Sequence, residues 1–159
     1  MEKIDIICIG SLKEKYLKDM CAEYVKRLSR FCNLRVIELS ESKVADDPKQ
    51  ADITRALDNE AKAILSSIDN GACKIALCIE GKQISSTELA DAMQTRALDN
   101  GKFCFIIGSS HGMSDSIKKM CDIRLSMSKM TFPHQIARAM LLEQIYRAYM
   151  IRTNRNYHK

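Results

Sequence analysis

Residues 103–113 read Phe-Cys-Phe-Ile-Ile-Gly-Ser-Ser-His-Gly-Met. Five apolar residues in a row, too few for a helix and stopped by glycine, describe a strand buried on both faces, as at the centre of a parallel sheet. A polar loop bounded by glycines follows, and residues 115–121 read as a short helix. Upstream the same alternation recurs. Residues 3–9 form a β-branched run ending at Gly10, and from Leu12 the apolar spacing turns helical through Tyr16, Met20, Tyr24 and Leu28. Residues 34–39 predict a second strand, and residues 40–49, with Asp46-Asp47-Pro48, a long polar connection suited to a mobile loop. Ile53, Leu57, Ala61, Ile64 and Ile68 share a helix face that stops at Asn70-Gly71. Residues 73–79 predict a third strand ending at Glu80-Gly81, and Ser85 with Glu88 has capping-box spacing. Downstream, residues 123–127 predict a fifth strand and 128–132 a loop, and Pro133 opens the last helix. The fold class expected is α/β, a parallel sheet with helices on both faces, in one domain over residues 1–159.

A chain of 159 residues buries enough surface to need no disulfide or metal staple. Hydrophobic residues at 46% and charged residues at 28% exclude a disordered chain. No apolar run approaches the ~20 residues of a membrane span, and the opening Met1-Glu2-Lys3-Ile4-Asp5 lacks the regions of a secretion signal. A cytoplasmic location without membrane association is expected. The seven cysteines are odd in number, lack zinc-knuckle spacing and sit inside apolar segments, so free buried thiols and no metal are expected.

Charge is segregated. Residues 1–101 hold 15 Lys and Arg against 17 Asp and Glu, whereas residues 102–159 hold 10 against 3. A basic final third on a near-neutral body points to a polyanionic partner. The last helix carries Ile136, Leu141, Leu142, Ile145, Tyr149 and Met150 among apolar residues covering nearly its whole circumference. Such a helix needs more than one packing partner, and a second copy of the chain is the simplest.

Ligands on open α/β sheets bind beyond the carboxyl ends of strands. Three such ends stand out: residues 79–81, 108–112 and 127–132. None carries a dinucleotide fingerprint or a Walker loop, which disfavours a nucleotide held by its phosphates. Gly108-Ser109-Ser110-His111-Gly112 does spell the nucleophile elbow of hydrolases, with Ser110 as nucleophile and Asp115 or Asp122, then His134 or His158, as partners. That reading leaves the basic third unexplained.

Phe105-Ile106-Ile107-Gly108, the stretch from Leu125 through Met130-Thr131-Phe132-Pro133-His134 to Gln135, Leu142-Glu143-Gln144-Ile145-Tyr146-Arg147-Ala148 and the terminal Tyr157-His158-Lys159 together resemble the RlmH family. These are SPOUT-class methyltransferases that modify pseudouridine in large-subunit ribosomal RNA. The resemblance spans almost the whole chain. It implies a C-terminal trefoil knot, which packing rules alone argue against, together with a homodimer and S-adenosyl-L-methionine as cofactor. By matching position, the cofactor residues implied are Leu77, Gly108, Met127, Ser128, Lys129, Met130, Thr131 and Phe132. Two departures stand out: Ser109 occupies the second position of a usual Gly-Gly pair, where it would tighten the loop, and the tail reads Thr153-Asn154-Arg155-Asn156 before Tyr-His-Lys.

The implied reaction is methyl transfer to N3 of a pseudouridine in 23S rRNA, free or within the assembled ribosome. Alignment of methyl carbon and nitrogen carries most of such catalysis, and the N3 proton needs an acceptor. His158 is the candidate base, with Tyr157 and Arg155 beside it as catalytic candidates. Arg138, Arg147, Arg152 and Lys159 are candidates for RNA contact. A binding module that keeps the fold without the chemistry is the alternative.

Overall fold

The structure, a computed structural model, describes residues 1–157; the expectations placed on His158 and Lys159 lie outside them. Strand β1 (Glu2–Ile9) leads through α1 (Lys15–Leu28) to β2 (Cys32–Leu39), and α2 (Gln50–Ser67) connects to β3 (Cys73–Gln83). Helix α3 (Ser86–Ala97), β4 (Lys102–Ile107), α4 (Asp115–Met120), β5 (Ile123–Ser126) and α5 (His134–Arg152) complete the order. All pairings are parallel, and the sheet order is β2-β1-β4-β3-β5. The Phe-Cys-Phe-Ile-Ile strand is central: Phe105 is in register with Ile6 on one side and Ile75 on the other, and is fully buried.

Helices cover both faces. One core packs α1, α3 and α5 against the sheet through Leu28, Met93, Leu142 and Ile145; the other packs α2 and α4 through Ile64 and Ile117. Each helix spends its apolar stripe on its own face, as the 3.6-residue period requires. The Ser85–Glu88 capping box forms at the head of α3: the Glu88 N–H donates to the Ser85 hydroxyl, and the Ser85 N–H to the Glu88 carboxylate.

Three expectations shift. Strand β3 does not end at Glu80-Gly81 but runs to Gln83 through a bulge, with Leu77 and Lys82 both in register with Leu125. Gly81 makes this possible, since a β-carbon there would stand 2.8 Å from the Arg124 backbone. Pro133 is the cap before α5 rather than its first residue, with extended ψ of 137°. Helix α5 finds two of its packing partners inside the chain, because α1 and α3 flank it on the same face of the sheet, so its apolar circumference alone does not demand a second copy.

Candidate active site

The three strand ends marked in the sequence come together. Residues 77–80 of β3, before its bulged extension, join residues after β4 and β5 and the start of α5 in lining one cavity of about 840 Å³, within the usual range of small-molecule sites. Its apolar wall includes Leu77, Ile107, Met127, Met130 and Phe132, and its polar wall is the loop 108–112. Seven of the eight cofactor residues implied by resemblance line it; Lys129 does not and is exposed.

The loop after β4 holds its shape by contacts of its own. Ser109 and Gly112 exchange backbone hydrogen bonds at 3.0 and 2.9 Å. A β-carbon on Gly108 would meet the Gly112 carbonyl oxygen at 2.2 Å. Glycine at 108 therefore serves the turn itself, whatever the cavity binds. Ser109 is 7% exposed and donates its hydroxyl to Glu60 of α2 at 2.9 Å. The other Glu60 oxygen accepts the Ser42 N–H at 2.9 Å. One carboxylate, itself 4% exposed, thus pins the start of the 40–49 connection to the cavity loop. The Ser110 hydroxyl donates to Glu41 at 2.9 Å, making a second tie between the same two segments. At the rim, a 2.5 Å hydrogen bond from Lys118 holds the Glu80 carboxyl below its ordinary range.

These bonds answer the hydrolase reading. Among the described residues, no hydrogen bond joins Ser110 to an imidazole; its partner is a carboxylate. Nor is Ser110 strained as an elbow nucleophile is, because among the described residues only Asn154 is a non-glycine residue with positive φ.

The arginines expected to meet RNA are already paired. Arg138 is 4% exposed, donating to Glu38 at 2.7 Å and to the Gly10 carbonyl at 3.2 Å. Burial turns it away from any phosphate, which corrects that expectation. Arg147 pairs with Glu143 at 2.6 Å and lies over the Tyr157 ring at 4.8 Å, and Arg152 pairs with Glu2 at 2.5 Å. Tyr157 donates to Glu143 at 3.2 Å and meets the Tyr146 ring edge-on at 5.0 Å. Burial and hydrogen bonding to Tyr24 and Glu143 push the Tyr157 hydroxyl up from its ordinary value. The tail thus packs on α5 as far as Tyr157. Arg155 lies over the Phe31 ring at 5.3 Å.

The sequence pattern gives no signal for Glu60, a lone acid inside an amphipathic helix, and offers His134 only as a partner for Ser110. The capping and strand-end rules reach neither residue, because each acts through a contact with a distant segment.

Residues 2–158 match the family described as "Predicted SPOUT methyltransferase". The chain belongs to the SPOUT methyltransferases. Within these it is similar to proteins named ribosomal RNA large subunit methyltransferase H. That of Clostridioides difficile is 47% identical over 98% of this chain and 99% of its own length. Those of Bacillus pumilus and Streptococcus uberis are each 45% identical, over 98% and 99% of this chain and 99% of their own lengths. The cavity at the strand ends is therefore the site to examine for methyl-transfer chemistry in this SPOUT protein.

Proposed function

We propose that this SPOUT methyltransferase uses S-adenosyl-L-methionine to methylate N3 of a pseudouridine in large-subunit (23S) ribosomal RNA, working as a homodimer in the cytoplasm. The observation that carries the reading is the convergence of Leu77, Gly108 and the 127–132 segment on one cavity, in a chain whose full-length relatives are named as large-subunit rRNA methyltransferases. The lining suits that cofactor. Apolar side chains can sandwich a heterocycle, and backbone N–H and C=O groups of 108–112 and 128–131 can hold adenine and ribose without any phosphate cradle. When bound, the cofactor supplies an electrophilic methyl group on a sulfonium sulfur. The chain's part is to align the acceptor nitrogen with that methyl carbon, keep water out and take the N3 proton.

The homodimer is supported by what stays uncovered. Ile79, Met130 and Phe132, 49%, 73% and 38% exposed, line the cavity, and Ile136 on α5, two residues beyond His134, is 40% exposed. A second chain laid across that rim would cover them. Tyr157 lies beside Tyr146, roughly 13 Å along the helix from Ala137 at the cavity. Arg155 and Tyr157 therefore reach a cavity most directly across a dimer, where they would hold the RNA, with Arg147 and Arg152 as neighbouring cations; His158 and Lys159, outside the described residues, are proposed for the same task on their chemistry alone.

Calorimetry with S-adenosyl-L-methionine tests the cofactor assignment. Saturable binding, abolished in a folded Gly108→Val variant, is expected. Absence of uptake by the wild-type chain would favour a binding module without the chemistry.

A further inference from the structure

A second cavity adjoins the first. It is a groove of about 420 Å³ at the carboxyl ends of β1 and β2, and its walls include Gly10, Lys13, Glu38, Glu41, His134 and Gln135. Among the described residues, His134 is the one that lines both cavities. The partition beside it is the Ser110–Glu41 hydrogen bond, which joins a wall of one cavity to a wall of the other. A β-carbon on Gly10 would stand 3.6 Å from His134 Nε2 and 4.0 Å from Glu41 Oε2, so both groups overhang the same stretch of bare backbone. The walls are fixed from behind. Arg138, buried, ties α5 to Glu38 and the Gly10 carbonyl, and the Lys13 N–H donates to the Gln135 side-chain oxygen at 3.2 Å.

We infer that this groove receives the acceptor base and that His134 accepts its imide proton. The inference rests on the proposed methyl transfer and places its second substrate. A base modified on its pairing edge must leave the stack and enter a pocket that reads that edge. A uracil-type edge presents carbonyl, N–H, carbonyl. Its complement is donor, acceptor, donor, and the groove's lining holds residue types that can supply it: Lys13 and Gln135 carry donors and His134 an acceptor nitrogen. The junction of the two cavities is where a methyl group passes from one ligand to the other. There the N3–H bond breaks with its proton going to His134 Nε2. The nitrogen lone pair forms the new N–C bond as the methyl–sulfur bond breaks, and that electron pair stays on sulfur. Glu41 and Glu38 line the same groove as the resulting imidazolium, Glu38 already paired with Arg138, and Lys13 is the groove's other cation.

Histidine ring resonances of the full-length, cofactor-free protein provide the first readout, with His134 assigned by comparison with a folded His134→Gln variant. Pseudouridine 5′-monophosphate at millimolar concentration should shift the His134 signal. Cytidine 5′-monophosphate, which has no N3–H, should not, and Ser40→Trp, which fills the groove from an exposed loop position, should abolish the shift. In single-turnover transfer to unmodified large subunits, His134→Gln should bind cofactor close to normally and lose about 10²–10⁴-fold in rate. If the wild-type protein methylates the subunits while His134→Gln matches it, or while His134 responds to neither or to both nucleotides equally, the groove assignment is wrong. If the wild-type protein transfers no methyl group, the functional reading itself fails and takes the inference with it.

Discussion

Glu60 shows how a single buried acid can set the shape of a site without touching it. Its two oxygens accept the Ser109 hydroxyl and the Ser42 N–H, both at 2.9 Å, at 4% exposure. Glu60→Ala takes the partner from the Ser42 N–H and leaves the buried Ser109 hydroxyl only its long 3.4 Å contact with the Gly112 carbonyl, at a cost of about 1–3 kcal/mol. The variant should unfold at lower urea concentration and bind S-adenosyl-L-methionine more weakly, because the 108–112 loop loses its anchor. An unchanged unfolding midpoint would show that the bonds contribute nothing net. Ser109 was legible in sequence as a departure from a glycine pair. Its partner was not, because 49 residues separate the two and no periodic pattern couples a helix position to a loop on the far side of a strand.

At the scale of elements, the end of α5 is fastened to the beginning of β1. Arg152 and the Tyr149 hydroxyl both bind the Glu2 carboxylate, at 2.5 and 2.6 Å. Burial pushes that carboxyl up, but Arg152 and Tyr149 more than offset it and hold it below its ordinary 4.5. A group with a lowered folded-state pKa stabilises the fold above its unfolded value and loses that contribution as pH falls through the folded one. Arg152→Met should therefore cost stability at pH 7, and the gap from wild type should close as pH drops below about 4.5. Thermal unfolding across pH checks this, and a gap that stays constant into acid would contradict it. The strands and helices themselves were readable because apolar runs and helical stripes report burial directly. The bulged extension of β3 was not, since Gly81 reads as a turn and only its 2.8 Å approach to the Arg124 backbone shows otherwise. The basic third was legible as a count of charges but misleading as a surface, because Arg138, Arg147 and Arg152 are each answered by a carboxylate of this chain.

For the whole molecule, the question is whether a working site needs two chains. A chain lacking residues 157–159 keeps its cavity, and a Gly108→Val chain keeps its tail. Each should be inactive alone, while their heterodimer holds one intact combination and should regain a fraction of wild-type transfer. Full activity of the truncated chain, or silence of a verified heterodimer, would show that the tail does not serve the opposite cavity. Membership of the SPOUT methyltransferases was readable from motifs along the whole length. The pairing of chains is not, because α1 and α3 already cover much of the helix that seemed to ask for a partner. The central claim is the reaction itself. Wild-type protein should be incubated with unmodified large ribosomal subunits and methyl-labelled S-adenosyl-L-methionine, and the RNA digested to nucleosides for mass spectrometry. Label is expected in a single nucleoside, N3-methylpseudouridine; label in any other nucleoside, or none in RNA, would contradict the proposed reaction.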